Sequence, residues 1–292
     1  MYELIQVANN TYYVNCPAKL GVYRCNDTDI FLIDSGNDKD AGRKVRRVLE
    51  AKGWVVKAIL NTHSHADHTG GNRYFQQNTG CKIFAPGIEA CIANHPVLEP
   101  ALLYGGAPCK ALRHKFLMAQ ESECHDITSP DFPEEIEIIP LHGHIFDMVG
   151  YRTPDDIVFL ADCVSSAATL EKYKIGYLYD VQAYLDTLDY VDTLTAKLFV
   201  PSHTEPTEDI HELTEINRRS VLEVQDKILS ICVEPMNFEA ILQRIFTDYG
   251  LSLNFEQYAL IGSTLRSYLS WLLDSGKLAV SFEDNMLLWK TV

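Results

Sequence analysis

The sequence predicts an α/β protein, two sheets covered by helices followed by a smaller helical appendage, and two observations predict it. Strand-like and helix-like runs alternate from Thr11 to about Pro206, a mixture expected of layered sheets and helices. From about Asp209 onward apolar residues instead recur near every 3.6 positions, until a final alternating stretch.

The first strands are read at Thr11-Tyr12-Tyr13-Val14 and Gly21-Val22-Tyr23-Arg24, where β-branched and aromatic residues gather. Asp29-Ile30-Phe31-Leu32-Ile33 is an apolar strand that stops at the turn formers Asp34-Ser35-Gly36. An amphipathic helix is expected from Ala41 to Lys52, then a buried strand over Val55-Val56-Lys57-Ala58-Ile59-Leu60. Gly70-Gly71 reads as a turn opening a helix at Asn72-Arg73-Tyr74-Phe75. Between about residues 89 and 133, Pro96, Pro100, Gly105-Gly106 and Pro108 break apolar segments, which reads as an insertion serving as a lid or a subunit contact. Further strands are expected at Ile138-Ile139-Pro140-Leu141, Ile157-Val158-Phe159-Leu160-Ala161 and Leu198-Phe199-Val200-Pro201.

The tail reads as helices over Leu213 to Ile231, Asn237 to Tyr249 and Glu256 to Ser275, then a hairpin turning near Glu283-Asp284-Asn285. Helices followed by a hairpin resemble a winged helix. Its third helix carries only Arg266 as a basic residue, with Glu256 and Asp274 flanking it, a poor surface for neutralising phosphates. Packing or homodimerisation is therefore the expected role of this tail.

Composition bounds the function. With 292 residues, 47% of them hydrophobic, the chain can bury a sizeable core. No apolar stretch approaches the roughly 20 residues needed to cross a bilayer, and a formal charge of -15 disfavours nucleic acid as partner. The eight cysteines form no Cys-x-x-Cys pair, and Met1-Tyr2-Glu3-Leu4 has neither a basic leader nor an apolar core for export. Reduced thiols and a cytoplasmic location are the expectation.

Chemistry concentrates in Thr62-His63-Ser64-His65-Ala66-Asp67-His68-Thr69-Gly70-Gly71. Three imidazoles and a carboxylate within six residues are hard to explain except as metal ligands, because imidazole suits zinc and a carboxylate can hold a second cation or orient its water. The cluster sits on a loop at the C-terminal end of a strand, where α/β proteins usually place ligands. His95, His114 and His125 lack such spacing and read as surface residues.

This segment resembles the signature of the metallo-β-lactamase superfamily of hydrolases, whose fold is a four-layer αβ/βα sandwich with a dinuclear metal site at one edge. Three later segments resemble the family's further motifs, in family order. In Ile138-Ile139-Pro140-Leu141-His142-Gly143-His144 the matching histidine is His144, which follows the glycine and stands six residues before Gly150. His142 is then expected to support a ligand rather than be one. Asp162, closing the strand Ile157 to Ala161, resembles the aspartate that bridges the metals, and His203 after Ser202 resembles the last histidine ligand. Asp34 resembles the family's Asp-x-Gly turn and is expected either to buttress a ligand histidine or to be an ordinary turn residue.

What the resemblance implies follows residue by residue. One metal would be held by His63, His65 and His144, a second by Asp67, His68 and His203, with Asp162 between them. The two divalent ions are expected to be zinc foremost, with iron or manganese accepted by the same ligands. They would share a water, lower its pKa toward neutrality and present hydroxide to a small-molecule ester, thioester or lactone, with Asp67 orienting it as the catalytic residue. Residues 1–208 would form the catalytic domain, with the insertion at about 89–133, and residues 209–292 the C-terminal helical, winged-helix-like domain.

Thr62 and Asn72 resemble glyoxalase II-like members, although the tail lacks a recognisable basic glutathione-binding motif. The alternatives are a mononuclear iron persulfide dioxygenase, whose glycine-rich segment is absent after Asp162, a phosphodiesterase on the same fold, and a regulator acting through the tail. Flavodiiron proteins carry glutamate where this chain has His65.

Overall fold

The computed structural model describes residues 2–292. Strands β1 (Glu3–Gln6), β2 (Thr11–Asn15), β3 (Leu20–Arg24) and β4 (Asp29–Ile33) pair in antiparallel order, and β5 (Val55–Leu60), β6 (Lys82–Ala85) and β7 (His125–Asp126) extend the sheet in parallel. Helix α1 (Lys39–Glu50) joins β4 to β5, α2 (Ala66–Thr69) and α3 (Asn72–Thr79) join β5 to β6, and α4 (Gly87–Asn94) and α5 (Leu98–Tyr104) lie in the connection to β7. A second sheet runs in the order β11-β10-β9-β8, from β8 (Glu137–Pro140), β9 (Val149–Arg152), β10 (Ile157–Ala161) and β11 (Leu198–Pro201), with α6 (Ala167–Tyr173) and α7 (Val181–Asp192) between β10 and β11. The tail is α8 (His211–Ile231), α9 (Phe238–Asp248), α10 (Phe255–Asp274) and a hairpin of β12 (Leu278–Glu283) and β13 (Met286–Thr291). Its turn places Asp284 and Asn285 at positive φ, 49° and 63°, as a two-residue hairpin turn of the matching twist requires.

The layers follow from strand alternation. In β4, Ile30 and Leu32 face the apolar cluster shared with Val45 and Leu49 of α1, while Phe31 and Ile33 face the space between the sheets. In β10, Ile157 and Phe159 point into that same space, and Val158 and Leu160 point to the opposite side, toward α7 and the tail. The order is helices, seven-stranded sheet, four-stranded sheet, helices. One apolar cluster runs without a break from Val158 and Leu160 through Leu188 of α7 to Val221, Ile245 and Leu265 of the tail.

Strands β1 and β6 were not read from the sequence; each is only four residues long, too short for alternation to stand out. The 89–133 segment packs on the tail, with Tyr104 edge-on to Phe255 at 6.0 Å and His114 Nε2 3.0 Å from Glu256. His95 and His125 are exposed.

Candidate metal centre

The C-terminal ends of β4, β5, β10 and β11 and the β8–β9 turn meet at one edge of the sandwich, and each delivers a polar side chain there. After β5 the chain enters the loop that carries His63 and His65 and then turns into the single turn of α2, which holds Asp67 and His68. That loop is fixed by its neighbours. Ser64 N donates to the buried Glu89 carboxylate at 2.9 Å, and Thr69 Oγ1 donates back to Ser64 O at 2.9 Å. The two glycines that follow are needed for close approach, since a Cβ on Gly70 would lie 2.4 Å from the Asn37 backbone and one on Gly71 would lie 2.2 Å from Ser35 O. They let α2 press against the loop after β4.

Two groups of donors result. His63 Nε2 and His144 Nε2 each lie 3.1 Å from His65 Nδ1. Asp162 joins this group through Oδ2, 3.7 Å from His144 Nε2. The second group holds Asp67, His68, Asp162 and His203: His203 Nε2 is 3.3 Å from both Asp67 Oδ2 and Asp162 Oδ2, and His68 Nε2 is 3.6 Å from Asp67 Oδ2. Asp162 belongs to both. It follows Ala161, whose φ of 49° is strained for a residue with a Cβ. That kink at the strand end is anchored where Ser202 N donates to Ala161 O at 2.9 Å.

Hydrogen bonds from outside the cluster set which ring nitrogen faces it. His144 Nδ1 lies 3.1 Å from Tyr177 O and His203 Nδ1 lies 3.2 Å from Pro17 O. A carbonyl only accepts, so in both rings Nδ1 carries the proton and Nε2 faces the cluster. His68 Nδ1 donates to Asp34 Oδ2 at 2.8 Å. Asp34 also accepts from Thr62 N and Thr62 Oγ1, each at 2.8 Å, and Thr62 Oγ1 in turn lies 3.0 Å from His63 Nδ1. One buried carboxylate thus orients His68 directly and His63 through Thr62. Asp34 is tied to His68 and Thr62 by three hydrogen bonds rather than standing alone in its turn.

The spacing fits a cation on each side. Imidazole nitrogens bonded to one tetrahedral zinc stand about 3.3 Å apart, close to the 3.1 Å found among His63, His65 and His144. On the other side His68 Nε2 and Asp162 Oδ1 are buried and 3.2 Å apart, yet neither makes a hydrogen bond. A buried donor-acceptor pair left unaligned in this way is costly, and a cation between the two atoms would satisfy both.

Electrostatics separates the two groups. Burial pushes His65 down to about 3, with His144 beside it acting in the same sense, and burial also holds His63 well below and His144 below the usual imidazole range. These three rings keep bare lone pairs at neutral pH. His203 is pushed up to about 10, chiefly by the charge of Asp162, against the opposing effect of burial. Burial likewise opposes a charge on His68, but Asp162, Asp67 and Asp34 outweigh it and hold the ring well above its usual range. Asp162 and Asp67 stay ionised below the ordinary carboxylate range, because the charges of His203 and His68 overcome their desolvation.

His142 is a correction. Its side chain is exposed, and its Nδ1 meets Phe146 O at 3.1 Å, away from both groups. Gly143 at φ 107° reverses the chain between the two histidines, and His144 Nδ1 meets the Tyr177 carbonyl. Sequence reasoning also missed Glu89 and the carbonyls of Tyr177 and Pro17. Carbonyl partners leave no trace in residue type, and Glu89 lies 25 residues from the Ser64 amide that it accepts from.

Residues 14–203 match the metallo-beta-lactamase superfamily, a span that includes every residue of both donor groups. The hydroxyacylglutathione hydrolase of Pseudomonas entomophila is 45% identical over 118 residues, covering 39% of this chain and 36% of that protein. The one from Erythrobacter litoralis is 42% identical over 57 residues, 18% of this chain and 23% of that protein. The chain thus spans well under half the length of these curated relatives. Among solved structures, a beta-lactamase domain protein from Burkholderia ambifaria superposes with a TM-score of 0.72 at 15% identity, covering 99% of this chain and 94% of that one. A metallo-beta-lactamase family protein from Thermus thermophilus gives 0.69 at 14% identity, covering 99% and 97%. At such identities the likeness is one of fold, and it extends through the C-terminal helices.

Proposed function

The chain belongs to the metallo-beta-lactamase superfamily, and from that premise we propose that it is a hydrolase of small thioesters that works with two divalent cations, zinc foremost. The observation that carries the reading is the convergence of two donor groups on one shared carboxylate, Asp162. His63, His65 and His144 would hold one cation, and Asp67, His68 and His203 the other. The local likeness to hydroxyacylglutathione hydrolases supports a thioester over the other esters that the fold serves.

When bound, such a pair of cations supplies Lewis-acid charge and lowers the pKa of water toward neutrality. The protein's own part is positional. Asp34 and Thr62 lock His68 and His63, and Asp162 fixes the distance between the two groups through the kink at Ala161. Asp67 is the most open member, with its side chain 42% exposed, and would accept the proton of the attacking water at the mouth of the site. No side-chain nucleophile is needed. Water's oxygen bonds to the acyl carbon as the C–S bond breaks, and a proton from that water passes to the departing thiolate.

Residues 209–292 would act as a wall of the site rather than as a nucleic-acid reader, since the apolar face of α8 to α10 is buried on the second sheet. The experiment is to purify the protein, measure zinc, iron and manganese per chain, and assay an acyl thioester beside a phosphodiester. Thioester hydrolysis that chelation abolishes and zinc restores is the expected result. Hydrolysis of the phosphodiester alone, or a single iron without hydrolysis, would overturn the proposal.

A further inference from the structure

A small cavity starts at His144 and Asp162 and runs away from the metal edge between the second sheet and the tail. Its volume is ≈ 80 Å³, roughly half that of a buried apolar cavity of about 150 Å³ that admits benzene. Its far walls are Val221 and Val224 of α8, Tyr268 of α10 and Leu178, each buried.

Several polar groups along this cavity are already committed, while the Tyr177 hydroxyl is buried without a partner. Asn217 Oδ1 accepts from Ser165 N at 3.0 Å and from Tyr184 OH at 3.3 Å, while its Nδ2 donates to Ser165 O and Leu213 O. Tyr184 OH also donates to Cys163 O at 2.8 Å. Lys174, the one cationic side chain on the wall, is paired with Glu171. A ligand entering from the metal edge therefore meets apolar walls and neutral hydroxyls such as that of Tyr177, with no unpaired charge among them. A charged group would lose its hydration there without recompense.

We propose that this cavity, walled by the C-terminal helices, receives the acyl chain of the substrate and restricts the enzyme to short, uncharged acyl groups of about two to four carbons. The inference rests on the thioester reading. It gives the tail a function, since Val221, Val224 and Tyr268 set the depth of the cavity, and it puts the carbonyl next to His144 and Asp162 with the thiol portion directed outward.

The test uses acetyl, butyryl and octanoyl thioesters of N-acetylcysteamine with the full-length, metal-loaded protein. A second readout, independent of turnover, is the calorimetric affinity of the matching non-hydrolysable S-ethyl, S-butyl and S-octyl thioethers. The acetyl and butyryl compounds should exceed the octanoyl one in kcat/KM by at least about tenfold, as a hydrophobic pocket discriminates methylenes, and thioether affinity should fall in the same order. Val224→Ala should raise the octanoyl rate relative to acetyl, and Val221→Ile, which fills space and does not open a void, should lower butyryl relative to acetyl.

Equal rates and affinities across the series, or variants that leave the ratios unchanged, would overturn the cavity assignment while leaving thioester hydrolysis in place. Absence of turnover on every thioester would instead overturn the hydrolase reading, and the thioether affinities would still decide whether the cavity selects for length.

Discussion

On one side of Asp162 three histidine rings face one another, and on the other side two histidines face two carboxylates. The first group is held neutral by burial, and the second is held charged by its own counter-ions. The difference teaches that the two groups would meet a cation differently. In the first, lone pairs wait bare. In the second, protons occupy the imidazoles and must leave before a metal can bind.

The hardest blow to this arrangement is the loss of what both halves share. Asp162→Ala should remove metal from both sides and lower turnover by about a thousandfold or more, to be read by elemental analysis and thioester assay. An enzyme with full activity and two metals after that change would end the description of Asp162 as the common ligand. Next in size, His203→Ala should release the cation of the charged side while the three-histidine side keeps its own, so that metal per chain falls toward one. Simultaneous loss of both metals would show that the halves are not separable.

Asp34 tests the support rather than the ligands. Asp34→Ala removes the acceptor of His68 and of Thr62, and should weaken metal affinity by about 10- to 100-fold, as the loss of an orienting partner typically does, when measured by competition with a chelator. The effect should fall more heavily on the charged side, because His68 contacts Asp34 directly and His63 does so through Thr62.

The pH dependence sharpens the contrast. His203 has its pKa raised to about 10, so in the metal-free protein its ion pairs contribute stability fully below about pH 6.5, the unfolded value, and lose that contribution as pH rises through 10. Cation binding on that side expels the same protons, so its affinity should climb with pH, and calorimetry in buffers of different ionisation enthalpy should detect proton release near neutrality. The three-histidine side should release none. The smallest effect is expected at His142→Ala. This side chain is exposed and outside both groups, and metal content and turnover should stay at the wild-type level.

How much of this was legible in the sequence depends on how locally each part is encoded. The run His63 to His68 could be read because three imidazoles and a carboxylate fall within six residues and follow an apolar strand. His144, Asp162 and His203 were legible only as motifs in order, since each alone is a strand followed by a polar residue. The tail helices were periodic enough to be placed within about two residues of the observed ends, and the hairpin turn fell on Asp284-Asn285, where two short polar residues tolerate positive φ.

What sequence could not give was the partner of each ring. The backbone carbonyl beside His144 comes from Tyr177, and the reversal at Gly143, where a Cβ would lie 2.2 Å from Tyr184 N, turns His142 elsewhere. Nor could it show that Val221 and Val224 lie against a cavity that opens on Asp162, because α8 begins 49 residues after that aspartate (211 less 162) and meets it only through the layered packing.

The most direct test of the central claim is the stoichiometry of metal per chain in the purified protein, titrated against thioester hydrolysis. Two divalent ions per chain, with the second appearing as activity rises and lost first on acidification, is the predicted result. A protein fully active with one metal, or one that binds a single iron and hydrolyses nothing, would contradict the account.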